Sequence, residues 1–349
     1  MNALEKIRNL KGKWLFIVPI SGLRFLKGVT QEIKVKDVIF VSRKRLVFVR
    51  KRLGFTDPIS VLRDKFSHDD FFDAADNFAI YVTGGSGKVA EKNFLNAVRS
   101  EIKILSLSQL GWGRRQNNAS LCVSNELRPG HRDHLMLNLT RGDSILSRQV
   151  VGKYGTLDIS KQWKEHHKKH SFFNGLLEIY NGKYALSQKW RDDIINASLL
   201  GGESQSSTDL PHAFLWNMIA IETLLTHQGD SYLDGLPNRV RAFIGWTADW
   251  SSAEYESKLV RVYKRRCEFV HAGRSDSVSM EDLLFTDTVL LNVLFNIVRH
   301  IRMFSCKEDL IAFSNKVEAE RILGLKPRLR PKTVVFINPI YNLKDFENL

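Results

Sequence analysis

Apolar residues recur along this chain with two different periods, and the period changes near its middle. In the first 150 residues or so they come as short runs and alternations. Trp14 to Ile20 is an apolar run closed by Pro19 and Gly22, Ile33-Lys34-Val35-Lys36 alternates, and Val38 to Val41 and Leu46 to Val49 extend the pattern. Phe78 to Val82 and His134 to Leu139 are further runs. All of these predict strands. One helix interrupts them, with the stripe Leu95, Val98, Ile102 and Leu105, preceded by Gly84-Gly85-Ser86-Gly87, which reads as a turn.

Beyond the polar segment Trp163 to His170, a helix or connecting loop at a plausible domain boundary, the period becomes helical. Residues 184 to 199 predict a helix, and Gly201 to Thr208 is a linker by composition. A bundle of four helices follows. The first starts near Pro211 with Phe214, Met218, Ile221 and Leu225 on one stripe, and a shorter one runs near Pro237 to Trp246. The last starts near Ser279 and carries Leu283, Leu290, Leu294, Ile297 and Ile301. A further helix spans Glu308 to Leu323. Then come a basic, proline-punctuated connector from Lys326 to Lys332 and a terminal strand, Thr333 to Ile337, whose expected host is the N-terminal sheet.

The third bundle helix breaks its own pattern. After Ser251, Ser252 and Glu254, a capping-box arrangement, its apolar stripe runs Tyr255, Leu259, Val262 and then Arg266 before Phe269. A guanidinium in a core stripe is costly unless it is paired or kept for chemistry. Five residues later comes His271, with Gly273 placed to end or bend the helix. On an ideal helix five residues separate side chains by about 140° and 7–8 Å, so one straight helix cannot bring the two together. The residue types suit metal-free RNA cleavage. A histidine can take a proton from a 2′-hydroxyl or give one to a leaving 5′-oxygen, and an arginine can hold the charge that builds on the phosphate.

The run Tyr263, Arg266, Val270, His271, Gly273 resembles the motif of the HEPN superfamily, an arginine and a histidine separated by four to six residues, in the form of its Apea-like branch. Leu215 to Leu225, with its Ala220-Ile221-Glu222 step, is similar to that branch's opening bundle helix, and the likeness covers roughly residues 205 to 305. It implies a metal-independent endoribonuclease of a bacterial anti-phage or stress system, with Arg266 and His271 catalytic and two motifs meeting across a homodimer. Tyr263, Cys267 and Glu222 would support the site, Glu222 by orienting Arg266 or His271 or simply by pairing with a basic residue of a neighbouring helix. Many members carry Asn, Asp or Ser after the arginine, where this chain has Cys267. The alternative is a non-catalytic RNA-binding or dimerisation module of the same family.

Charge agrees with a polyanionic partner. The formal net charge is +14, and residues 1 to 53 hold fourteen Lys and Arg against three Asp and Glu. Arg43, Lys44, Arg45, Arg50, Lys51 and Arg52, with Lys264 and Arg265 in the motif helix, are the candidate RNA contacts. No apolar run approaches the roughly 20 residues of a membrane span, so the expectation is a cytoplasmic protein without a membrane partner. Three isolated cysteines, Cys122, Cys267 and Cys306, indicate neither disulfides nor a sulfur-bound metal. The histidines His131, His134, His166, His167 and His170 lack a His-Glu-x-x-His pattern, and Gly84 to Lys88 lacks the first glycine and the hydroxyl of a phosphate loop. No metal and no cofactor are expected. The expected architecture is α+β: a strand-rich mixed domain over 1–180 that senses or regulates, an all-α bundle over 184–323, and the connector and strand over 324–349.

Overall fold

A computed structural model describes residues 5, 8–54, 75–124, 130–137, 144–151, 155–170, 172–227, 230, 232–244 and 253–325. The capping-box serines Ser251 and Ser252, the connector Lys326 to Lys332 and the strand Thr333 to Ile337 lie outside these residues. The chain is α+β, an antiparallel sheet followed by helices. It divides into two units that interleave in sequence: Met1–Ile102 with Gln116–Ser160, and Lys103–Arg115 with Lys161–Leu349. The boundary expected between 180 and 184 thus falls inside the second unit.

In the first unit the apolar run around Trp14 becomes β1 (Lys11–Ser21) and that around Ile80 becomes β5 (Asn77–Ser86), paired antiparallel with Phe16 opposite Tyr81 and Ile17 opposite Ile80. Between them in sequence come β2 (Leu23–Phe25), β3 (Glu32–Val35) and β4 (Val38–Ser42). With β6 (Cys122–Val123), the five-stranded sheet has the order β3-β4-β5-β1-β6. A separate hairpin joins β7 (Gly130–Leu137) to β8 (Ser144–Val151), and β9 (Leu157–Ile159) runs parallel to β2.

Two sequence expectations change here. Leu46 to Val49 forms part of a helix, α1 (Arg43–Arg52), rather than a strand. Ser42 closes β4 and caps the helix, its hydroxyl accepting the Arg45 amide at 3.2 Å. Leu46 and Val49, three apart, then share one face and join Ile39, Val41, Phe78 and Ile80 in the core. A four-residue apolar run fits either period, and the cap with its flanking straight-chain arginines and lysines decides. Gly84, Gly85 and Ser86 are not a turn but the end of β5, paired with Lys13, Gly12 and Lys11. The helix α2 (Gly87–Leu107) starts directly after them. Phe94, Val98, Ile102 and Leu105 on it are buried, and Phe94 stacks on Phe16 at 4.7 Å.

The second unit takes in the end of α2 and then α3 (Lys161–His170), α4 (Phe172–Tyr180), α5 (Gln188–Ser206), α6 (Leu210–Leu225), α7 (Tyr232–Ile244), α8 (Ala253–Ala272), α9 (Met280–Arg299) and α10 (Lys307–Ile322). Its axis is α9, on which every residue from Val289 to Val298 is buried, the signature of a helix surrounded on all sides. The linker expected at Gly201 to Thr208 is mostly helix, because its small residues are contact points rather than hinges. A Cβ on Gly201 would lie 2.8 Å from Leu107, and one on Gly202 would lie 1.8 Å from the Lys103 carbonyl oxygen.

Polar groups inside this unit are bound to one another. Asp287 on α9 is fully buried and receives Arg115 at 2.7 Å on both carboxylate oxygens, with Gln205 at 2.9 Å and Asn217 at 2.7 Å. Arg115 also donates to the Ser204 carbonyl and hydroxyl at 2.5 and 2.8 Å.

Gly202→Ala should lower stability by about 3 kcal/mol or more, since the atom it meets is backbone and cannot step aside. Asp287→Asn, which strands the Arg115 charge, should cost roughly 3–5 kcal/mol. Urea unfolding midpoints check both, and a midpoint within error of the parent for either variant would refute the packing described.

Candidate active site

The arginine that breaks the apolar stripe of α8 has a partner. Leu259 and Val262 on the same stripe are buried, and one turn on Arg266 sends Nη2 to Glu222 Oε2 of α6 at 2.8 Å, with side chains 19% and 9% exposed. Burial pushes the Glu222 carboxyl up from its ordinary value, and the Arg266 charge and hydrogen bond pull it back only in part. Glu222 Oε1 and Arg266 Nε are buried with no hydrogen-bond partner, so the pair uses only part of its bonding capacity. Glu222 thus meets its expected basic neighbour, and that neighbour is the motif arginine itself.

Tyr263 and Cys267 adjoin this pair. Burial raises the Tyr263 hydroxyl, its hydrogen bond to Cys267 and the Glu222 charge raise it further, and it is pushed up to about 12. The phenol therefore keeps its proton and serves as a donor near neutral pH. Cys267, half-buried, is a free thiol.

His271 stands apart from this cluster. α8 runs unbroken to Ala272, and Gly273 then takes the left-handed conformation at φ 65°, its amide donating to the Phe269 carbonyl at 3.0 Å while Arg274 donates to Glu268 at 3.3 Å. The glycine stops the helix and does not bend it, so His271 remains on its last turn. It is exposed, beside Val270 at 47% exposure. Within one chain the helix holds Arg266 and His271 about 140° apart, one facing α6 and the other solvent.

A second imidazole, which the spacing argument passes over, lies beside the same helix end. His212 on the first turn of α6 packs its ring against Phe269 at 5.4 Å and holds Nδ1 3.0 Å from Asp209, which also caps α6 through the His212 amide. Asp209 before Leu210-Pro211 is a readable cap signal. What the sequence conceals is its proximity to Phe269.

The other basic candidates divide into occupied and open. Arg265 pairs with Asp282, the capping-box residue of α9, and Arg261 reaches Glu281 at 3.3 Å and Asp282 at 3.4 Å, which ties α8 to the start of α9. Lys264 is exposed. In α1, Arg45 and Arg52 both bond Glu32, at 3.0 and 3.3 Å, and Arg43 pairs with Asp76 at 3.3 Å. Burial works to raise the Glu32 carboxyl, but the hydrogen bonds from Arg45 and Arg52 outweigh it and hold it low. Arg50 is buried, at 1% exposure. Lys44 and Lys51 are exposed and enter none of the ion pairs among the described residues.

Among the described residues no group of three or more histidine, cysteine or carboxylate side chains gathers closely enough to hold a metal. His131 and His134 lie on β7. His166, His167 and His170 sit on α3 against aromatic rings. His167 is buried beside Trp163, ring centroids 4.4 Å apart, and His166 lies 5.0 Å from Trp112 and 4.5 Å from His170. Burial, then the neighbouring imidazole, lowers His167 to about 3, and burial with His170 and Lys169 lowers His166 to about 4.

A buried histidine of depressed pKa binds fewer protons folded than unfolded. Its contribution is therefore present above the unfolded value near 6.5 and is lost as pH falls toward about 3. The chain should lose roughly 2 kcal/mol through His167 by pH 5. His167→Phe should flatten that part of the pH profile of urea unfolding, and an unaltered profile would refute it. No protein-family model, no curated protein and no solved structure matches this chain.

Proposed function

We propose that this chain is an Apea-like member of the HEPN superfamily and acts as a homodimeric, metal-independent endoribonuclease of a bacterial anti-phage or stress-response system. The observation that carries the reading is the division of labour on α8. Its arginine is held in a mostly buried, incompletely bonded pair with Glu222, while its histidine is left exposed at the capped end of the same helix. Because the two face different ways on one helix, a complete site takes Arg266 from one copy and His271 from another. The 2′-hydroxyl attacks the adjacent phosphorus as His271 takes its proton, the forked guanidinium stabilises the phosphorane charge, and the P–O5′ bond breaks as the leaving oxygen takes a proton from water, which the His271 imidazolium then restores. The products are a 2′,3′-cyclic phosphate and a 5′-hydroxyl.

A second reading has an observation of its own. A buried Arg–Glu pair between neighbouring helices is also an ordinary packing device, and with Cys267 after the arginine it suits a module that binds RNA or dimerises without cutting.

Incubation with total cellular RNA and tRNA in excess chelator separates the two. His271→Ala should lower cleavage by about 10²–10⁴-fold, and Arg266→Lys, which keeps the charge but loses the fork, should also be impaired. Mixing His271→Ala with Arg266→Ala chains should restore activity through the one intact composite site. No cleavage by the parent protein, or parental rates in both single variants, would sink the enzyme reading, and full activity from isolated monomers would sink the shared site.

A further inference from the structure

The helix α1 carries an aromatic ring where its charge pattern calls for none. Phe48 is 63% exposed, although Leu46, Val49 and Arg50 around it are buried. The ion pairs of Arg43, Arg45 and Arg52 with Glu32 and Asp76 secure the flank of the helix, leaving Lys44 and Lys51 exposed. Lys44, Phe48 and Lys51 follow one another at four and three residues, so they form a single stripe, with the two lysine Cα positions about 10 Å apart along the axis and Phe48 between them. The Arg45 guanidinium lies over the same ring, 5.5 Å from its centroid.

From this juxtaposition we infer that α1 is a stacking platform for single-stranded nucleic acid, with one unpaired base on Phe48 and the flanking phosphates on Lys44 and Lys51. This is the arrangement by which sequence-tolerant binders hold single strands, a ring for the base and cations along the backbone. A membrane surface fits less well. The helix offers one exposed ring and no continuous apolar face, because Leu46 and Val49 are turned into the core and Val47 is half-buried. A duplex fits poorly as well, since its bases are stacked and cannot cover the ring. The inference rests on the proposed reading of RNA as the partner, and it adds a binding site on the first unit, distinct from Arg266 and His271.

The test uses the full chain and a fluorescein-labelled oligodeoxythymidine, a single strand without the 2′-hydroxyl that the proposed cleavage needs, titrated by fluorescence anisotropy at several salt concentrations. Phe48→Ala should weaken binding by roughly five- to a hundredfold with the salt slope unchanged. Phe48→Leu should lose as much, because it keeps apolar area but not the ring, and Phe48→Tyr should retain affinity. Lys44→Gln with Lys51→Gln should reduce the salt slope by about 1.4. Parental affinity in Phe48→Ala, equal affinity in Phe48→Leu, or no binding by the parent chain overturns the platform. Phe48-dependent binding to phosphatidylserine vesicles with oligonucleotide binding indifferent to Phe48 assigns the patch to lipid and also overturns it. A parent that binds as stated yet never cuts RNA leaves the platform standing and removes the endoribonuclease reading instead.

Discussion

The Asp287 carboxylate governs the helical unit. It is fully buried in the central helix α9, and a bare charge there would be prohibitive, so every group that satisfies it is held in place by that need. Arg115 comes from the segment after α2, Gln205 from α5 and Asn217 from α6, so one carboxylate fixes the relative positions of four parts of the chain. Replacing such a network with hydrocarbon can be neutral for stability, but removing one member is not. Its contribution is register: the chain has one arrangement in which all of these bonds are made together.

Register matters because the candidate site spans α6, one of the helices so fixed, and α8. Glu222 lies on α6, one turn and a half beyond Asn217, and Arg266 on α8 reaches it across the interface. α8 is located in turn by Arg261 and Arg265, which bind the acidic start of α9. Three arginines within six residues therefore have three partners, and the motif arginine differs from its neighbours in lying in the apolar stripe and in reaching α6 rather than the start of α9. The histidine takes no part in this bracing and stays exposed at the end of α8.

Close approach of backbones does the rest. Gly201 and Gly202 let α5 lie directly on Lys103 and Leu107 at the end of α2, and Gly111 has no room for a side chain because Leu291 would stand 2.7 Å from its Cβ. The stretch Lys103–Arg115 therefore belongs to the helical unit, although its neighbours in sequence on both sides belong to the other unit.

Much of this was legible in the chain itself. Short apolar runs announced β1, β4 and β5, the alternation Ile33-Lys34-Val35-Lys36 announced β3, and period-3.6 stripes announced α6 and α9. Arg266 was conspicuous because a charge in an apolar stripe is expensive wherever the helix packs, and Gly273 because few residues other than glycine end a helix in the left-handed conformation. Local signals suffice where the physics is local. They failed where distant parts of the chain supplied the deciding contact. Gly201-Gly202 has the composition of a linker until α2 is placed against it, and the basic cluster of α1 looks uniformly open until Glu32 and Asp76 occupy three of its arginines. The partner of Arg266, the place of Arg115 beneath Asp287 and the exposure of Phe48 depend on which surfaces meet. A sequence specifies each residue's chemistry, but only the packed chain determines which groups lose water and which keep it.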